Sequence, residues 1–366
     1  MVVRLGDRRL SDWYSDFLIV NQGQCICTAL GRELGIAHDQ FTRMLNREHF
    51  DSAFLWKSCK PLVRRIELAS GVLVLDDTIE EKCYSALSDW NCYHWDHCLN
   101  RSVRGLNQVT MLYHSQDISV PIGFKMVTKP DIVIDKKTGK EKRVSKVSKQ
   151  VLFQALIAEA VDNQVQIGHI VADKWFSSED NMKFIAGKEK YFVFPLKKNR
   201  KVALSAQDKA NGVYQVVSEV KLDEGQVRTV YVKGVEFPLL LQKQVFQTEG
   251  DVPKGSEPTL YLVSNDLTLD APAMTAIYSI RWKVECCFKS MKSNLGYANS
   301  PAHTQKSQVN HLVLCMLAFV KLEILKDKTR INHFAFKAKV RAVALSKAWQ
   351  FWQDTKKQFQ VSIDAA

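Results

Sequence analysis

Tyr278, Arg281, Glu285 and Lys292 stand at offsets of 0, 3, 7 and 14 in a stretch whose apolar spacing predicts one helix. At about 100° per residue they point to roughly 0°, 300°, 340° and 320°, a sector about 60° wide. Ile277, Ile280, Val284, Cys287, Phe288, Met291 and Leu295 fall elsewhere, at about 180–280°, on the face that would bury. A carboxylate ringed by Arg, Lys and Tyr beside an apolar face suits a helix that binds phosphates and holds a metal ion. Arg offers a fork to phosphate oxygens and Lys a point charge.

Two further carboxylates share another setting. Asp76 follows a short β-branched run, Gly71-Val-Leu-Val-Leu75, and Asp173 follows Ile167–Ala172, so both are expected at the C-terminal ends of buried strands. Such carboxylates are costly unless ionised and paired with positive charge. Three brought together repel one another unless a divalent cation neutralises them. Two Mg²⁺ ions roughly 4 Å apart could activate a water or a 3′-hydroxyl and stabilise the leaving oxygen of an in-line phosphodiester displacement. A lone Asp at a strand end more often caps a turn; the combination with the helical stripe points to a site.

The elements that must position these residues follow from the pattern along the chain. Residues 1–65 read as helical, and Thr28–Asn46 has the rhythm of a helix-turn-helix. Ala29, Leu30 and Leu34 lie on its first helix, Gly35 marks the turn, and the second helix turns Gln40, Arg43 and Arg47 outward. Gln108–His114 and Ile118–Thr128 read as strands joined by a Ser-Gln-Asp hairpin turn. Residues 136–149 carry seven Lys or Arg and read as a loop, either touching a DNA backbone or simply solvated. Helix and strand then alternate: Val151–Ala160, the Asp173 strand, Ser178–Ala186 and Tyr191–Leu196. From 200 to 258 short strands predict a β-rich insertion, at Val213–Val220, Gln226–Val232 and Phe237–Val245. Leu260–Ser264 returns as a buried strand before the Tyr278–Lys292 helix, and 304–355 is helical with a basic last helix, Lys337–Trp352.

The chain has 366 residues, enough for one large elaborated domain or two to three modules. Its net charge of +12 favours polyanionic partners, nucleic acid first and an anionic membrane surface second. The longest apolar run, Leu312–Val320, is far short of the roughly 20 residues that span a bilayer. The N-terminus shows no apolar signal core, and nine cysteines, with Cys286 and Cys287 adjacent on a predicted helix, fit reduced thiols. The expectation is a soluble, cytoplasmic protein of bacterial type.

The spacing Y-(2)-R-(3)-E-(6)-K, met by Tyr278, Arg281, Glu285 and Lys292, resembles the signature of DDE transposases from bacterial insertion sequences. VLVLDDT, HIVADKWFSS and a β-rich stretch between the second and third acids agree with that family over roughly 70 to 325. The resemblance implies an α/β fold: an RNase H-like catalytic core, a mixed sheet flanked by helices, with a β-rich insertion and helical N- and C-terminal regions. It implies a helical DNA-binding region at 1–68, the core at 69–200 and 259–326, the insertion at 201–258 and a basic helical region at 327–366. Asp76, Asp173 and Glu285 would be the catalytic, metal-binding triad for two Mg²⁺ ions, with Mn²⁺ able to substitute. Arg281 and Lys292 would grip phosphates of the transposon end, and Tyr278 would position its terminal nucleotides. Arg43 and Arg47 would contact DNA. The family pattern of Asp, any residue, Thr favours Asp76 over Asp77 as the first acid. The implied activity is binding of terminal inverted repeats, cleavage of the element ends and joining of 3′-hydroxyls to target DNA, by at least a dimer assembled on double-stranded DNA and without a membrane partner.

The chain departs from relatives that stack a flipped base on a Trp of the insertion, because 200–258 holds no Trp. Trp175 and Trp282 either stack on DNA or fill core. Cys92, His94, Asp96, His97 and Cys98 lack the second ligand pair of a zinc site and are expected near the first strand. Cys25 and Cys27 read as buried helix thiols, and His303 and His311 as interface histidines flanking the last core helix. Two other readings stay open: an RNase H-like nuclease that cuts without integrating, and a non-enzymatic DNA-binding protein.

Overall fold

The structure, a computed structural model, describes residues 7–96, 99–136, 139–245 and 259–359. The chain divides into two compact units, residues 51–288 and residues 1–50 with 289–366.

The larger unit begins with helix α4 (Ser52–Ile66) and strands β1 (Val72–Glu81), β2 (Cys92–Asp96), β3 (Arg101–Ser115), β4 (Ile118–Val127), β5 (Asp131–Ile134) and β6 (Glu141–Val144). Next come α5 (Lys149–Asp162), β7 (His169–Ala172), α6 (Glu179–Gly187), β8 (Tyr191–Leu196), β9 (Lys201–Ala203), α7 (Ala206–Ala210) and β10 (Gln215–Val216). It ends with β11 (Val227–Val232), β12 (Leu239–Val245), β13 (Thr259–Ser264), α8 (Ala271–Ser279) and the first part of α9 (Trp282–Asn294). The smaller unit holds α1 (Asp7–Val20), α2 (Cys27–Leu34), α3 (His38–Arg47), the end of α9, α10 (Gln305–Thr329) and α11 (His333–Gln358).

The heart of the larger unit is β1. Val72, Leu73, Val74 and Leu75 are all buried, the continuous apolar run of a strand covered on both faces. It pairs antiparallel with β3 and parallel with β7, and β7 pairs parallel with β8. With β4 on the far side of β3, the order β4-β3-β1-β7-β8 is that of an RNase H-like mixed sheet. Helix α5 packs against β3 and β4, and α8 against β7 and β8. The turn between β3 and β4 is Gln116-Asp117, both at positive φ (50° and 57°), as a two-residue hairpin requires.

Four expectations are refined here. Strand β1 does not end at Asp76 but continues to Glu81, because β3 goes on pairing with it as far as Gly105 after β7 has stopped. The apolar signal ends where two-sided burial ends; the hydrogen bonding does not. The basic segment from 136 to 149 is not all loop: β5 and β6 pair as a two-stranded ribbon and Lys149 opens α5. The short strands of the expected β-rich insertion, after 200, join the core sheet. They extend it from β8 in the order β13-β12-β11-β9-β10. Residues 246–258 of the expected insertion lie outside those described.

The fourth concerns the helix of the opening spacing, which is two helices, α8 and α9, meeting at Ile280–Arg281. There the amides of Ile280, Arg281, Lys283 and Val284 each bond to the carbonyl three residues back, so the chain tightens between the two helices. Asp270 caps the start of α8 by accepting from the Ala273 amide at 2.8 Å. Asp270→Ala is therefore expected to cost about 1 kcal/mol, read as a lower urea midpoint at unchanged slope.

In the smaller unit, α2 ends at Gly35, whose φ of 64° is the left-handed conformation that lets α3 turn away. Phe41, Met44 and Leu45 of α3 are buried, while Arg43 and Arg47 are exposed. On α2, Leu30 is buried and Leu34 exposed. By length and composition α10 could cross a membrane, yet its apolar residues from Leu312 to Val320 are mostly buried within this unit. Two of its buried polar groups are paired across the unit: His311 Nδ1 lies 3.0 Å from the Tyr14 hydroxyl, and Asn310 donates to Leu45 O and Glu48 O at 2.9 and 2.8 Å. His311 thus sits within α10 rather than flanking it. The last helix starts earlier than expected, at His333, because buried His333 and Lys337 anchor it; Lys337 Nζ donates to Ile19 O and Asn21 O at 2.9 and 2.6 Å. Cys25 is buried, whereas Cys27 is half-buried.

Candidate active site

Leu75 of β1 is aligned with Ala172 of β7 across the parallel pair. The next residues are Asp76, still within β1 and paired with Thr110 of β3, and Asp173, just past the end of β7, so the two lie side by side on backbones about 5 Å apart. The carboxyl ends of parallel strands are where open α/β sheets present their ligand sites. Asp76 keeps only 16% of its side-chain surface exposed. Burial, then the negative charges of Asp77 and Asp173, raise its carboxyl to about 7, against the pull of the Asp77 amide and of Arg281. Asp173 folds the chain after β7: its carboxylate accepts from the Trp175 amide, and its carbonyl from the Phe176 amide at 3.1 Å.

Alternation along β1 turns Asp77 the other way. Its Oδ2 meets Lys149 Nζ at 2.6 Å. The two adjacent acids therefore face different partners: Asp76 faces Asp173 and Arg281, Asp77 faces a lysine.

From the α8–α9 junction Arg281 reaches into this crevice. Its Nη1 lies 3.5 Å from Asp76 Oδ2 and its Nη2 2.7 Å from Glu285 Oε1, so one guanidinium bridges two of the three acids. Burial works against its charge, but Tyr278, Glu285 and Asp76 together hold it above its ordinary value. The Tyr278 ring lies 6.0 Å from the same guanidinium, and burial, with Asp173 and Asp76 nearby, pushes its phenol up to about 12. Val284, Cys287 and Phe288 of α9 are buried, which anchors the helix and sets Glu285 at the surface edge. The structure thus gathers Asp76, Asp173, Tyr278, Arg281 and Glu285. In the smaller unit Lys292 is exposed on the end of α9, and Arg43 and Arg47 are exposed on α3.

Among the described residues no three His, Cys, Asp or Glu side chains stand close enough to hold one metal ion. The donor set nevertheless suits a hard divalent cation. Asp76 carries repulsion from two neighbouring carboxylates, Asp77 and Asp173, offset in part by the Arg281 guanidinium that also pairs with Glu285.

The expected cysteine–histidine cluster takes no part. His94 is buried on β2, 3.4 Å from Cys92 Sγ, and burial with Lys129 and Lys149 nearby pushes its imidazole down to about 3. Strand β3 lies between β2 and β1, so this group does not adjoin β1. Asp96 accepts from the Leu99 amide, and His97 and Cys98 lie outside the described residues. Trp175 and Trp282 are 51% and 59% exposed, which removes the core-packing alternative for both. Three features escape the sequence pattern: the Asp77–Lys149 pair, the Arg281 bridge, and Lys197 and Arg200 beside Trp175. Only the position of Lys197 and Arg200, just past the end of a parallel strand next to the Asp173 strand, could have signalled the last.

Two family models match the chain. The transposase DDE domain matches residues 124–320 and the DDE superfamily endonuclease matches residues 8–216, each more than half of the sequence. The first spans Asp173 and Glu285, the second Asp76 and Asp173, so together they cover the whole cluster. A search of curated proteins gives no match. With an RNase H-like sheet, two acids side by side on adjacent parallel strands where β7 ends and a third on a later helix, the chain belongs to the DDE transposase family of DNA endonucleases.

Proposed function

We propose that this protein is the transposase of a bacterial insertion sequence, which binds the terminal inverted repeats, cleaves the element ends and joins the 3′-hydroxyls to target DNA. The observation that carries the reading is the register of β1 against β7, which delivers Asp76 and Asp173 together, with Arg281 linking Asp76 to Glu285. Asp76, Asp173 and Glu285 would hold two Mg²⁺ ions, or Mn²⁺ in their place, which when bound supply activation of the attacking oxygen and stabilisation of the leaving one.

The other residues act on the DNA itself. Arg281 presents a guanidinium already fixed at the acids, so it can fork onto the oxygens of the scissile phosphate at little ordering cost. Tyr278 stays protonated at any physiological pH and offers a neutral hydroxyl and a ring face to the terminal nucleotides. Lys292, Arg43 and Arg47 add exposed cations for phosphates, and the net charge of +12 favours the duplex as a whole. Because two ends must be cut and joined, the working form is a homodimer assembled on DNA, in the cytoplasm. Double-stranded DNA is its partner, with no role for a membrane.

The test uses purified protein, Mg²⁺ and labelled duplex carrying the DNA that flanks the gene. Nicks at the element end and a joined product with a second duplex are expected, both lost in EDTA. Cleavage with no joined product would instead establish a non-integrating nuclease. Tight binding with no cleavage in either metal would leave a DNA-binding protein.

A further inference from the structure

Beside the acids is a small cationic recess. A cavity of about 260 Å³ is lined by Lys174, Trp175, Ser177, Ser178, Lys197 and Arg200. Trp175 shows half its surface to solvent, and Lys197 Nζ stands 5.7 Å from its ring centroid. The Trp175 backbone is held on both sides: its amide donates to Asp173, and its carbonyl accepts from Gln150 Nε2 at 2.9 Å. Arg200 Nη1 pairs with Glu179 at 3.2 Å, while its buried Nε and Nη2 have no partner in the protein. Three cations against that one carboxylate make the recess an anion site. The indole makes it something more, because an exposed, backbone-fixed aromatic ring is a platform for a flat π-system.

We infer that this recess takes one unpaired nucleotide of a DNA strand, its base stacked on Trp175 and its phosphate held by Lys197, Lys174 and Arg200. At about 260 Å³ and open to solvent, the recess has room for one unit of a polymer entering from outside. A base inside a duplex has both faces covered by its neighbours, so only an unstacked one can use the indole. Asp173 lies two residues from Trp175, and the stacked nucleotide therefore sits next to the acids, where it would hold the strand parted at the cut. This assignment rests on the transposase reading for its biological purpose, not for its physical basis.

The experiment measures anisotropy of a short labelled single-stranded oligonucleotide and of its blunt duplex, with the full chain in EDTA. Trp175→Ala is expected to weaken single-strand binding roughly 10- to 100-fold, with duplex binding and thermal midpoint unchanged. Trp175→Tyr is expected to stay within about threefold of wild type, and Lys197→Gln to lower the slope of log K against log salt by about 0.7. Unchanged single-strand binding by Trp175→Ala overturns the proposal, as does an equal loss on duplex. So does displacement of the strand by a free mononucleotide or inorganic phosphate at comparable concentration. Since no cleavage is read, an inert chain can pass this test and an active transposase can fail it, which keeps the two readings separable.

Discussion

Asp76→Asn, Asp173→Asn and Glu285→Gln, each made singly, are expected to lower strand cleavage by roughly a thousandfold or more, about 4 kcal/mol of transition-state stabilisation. Each removes a charged oxygen from the small set that would hold the ions, and an amide cannot replace it. DNA binding at low salt is expected to remain within about threefold, since the phosphate contacts come from other side chains. Asp77→Asn is the informative control. Asp77 is paired to Lys149 at 2.6 Å on the other side of β1, so its loss should lower cleavage by less than about tenfold. An inactive Asp77→Asn beside an active Asp76→Asn would reverse the assignment of the first acid. Wild-type cleavage by Glu285→Gln would remove the helix from the catalytic set.

The stability of the metal-free protein should carry the signature of the same carboxylates. The Asp76 carboxyl is raised from 3.8 to about 7 in the folded protein. Between those two values the folded chain binds a proton that the unfolded chain has released. The stabilisation linked to that proton is therefore full below about pH 4, is lost as pH rises to about 7, and changes no further above it. The gap between 3.8 and about 7 sets an upper limit of about 4 kcal/mol. Other acids titrate over the same range, so the measurement is the difference in urea unfolding free energy between Asp76→Asn and wild type. That difference should favour the variant increasingly from pH 4 to pH 7 and then level off. At pH 8, adding Mg²⁺ should restore the wild type and leave Asp76→Asn unmoved, by the mass action of a ligand that binds only the folded state. A difference that stays flat across this range would mean that Asp76 is not held among like charges.

The two predictions concern one physical situation. Asp76 is placed where its charge costs the fold, and Arg281 offsets part of that cost while it also pairs with Glu285. Sites that must bind cations and phosphates carry this kind of local conflict, since a group satisfied entirely by the protein has little left for its ligand.

How far each part was legible from sequence follows from how local its physics is. The apolar runs at Val72–Leu75 and Ile170–Ala172, the Gln116-Asp117 turn and the Gly35 helix stop depend on a few neighbouring residues, and all are read from the chain directly. The spacing of Tyr278, Arg281 and Glu285 is equally local, and that is why their mutual contacts survive the tightened turn at Ile280–Arg281 that the periodicity did not foresee.

Other features depended on which distant segment lies alongside. Nothing in VLVLDDT says that β3 will hold β1 extended to Glu81, because a half-buried strand loses the apolar pattern while keeping its hydrogen bonds. Trp175 has the composition of a core residue and stands exposed, and nothing local in the strands after 200 says that they continue the central sheet. The sequence by itself determined the chemical kinds of residue in the site, their local order and the strands that carry two of the acids. Only the tertiary structure decided that Arg281 lies between Asp76 and Glu285, that Asp77 is paired to Lys149, and that Lys197 and Arg200 flank Trp175. Side-chain type and periodicity are properties of a short segment, whereas a partner is chosen by the fold of segments far apart in the chain.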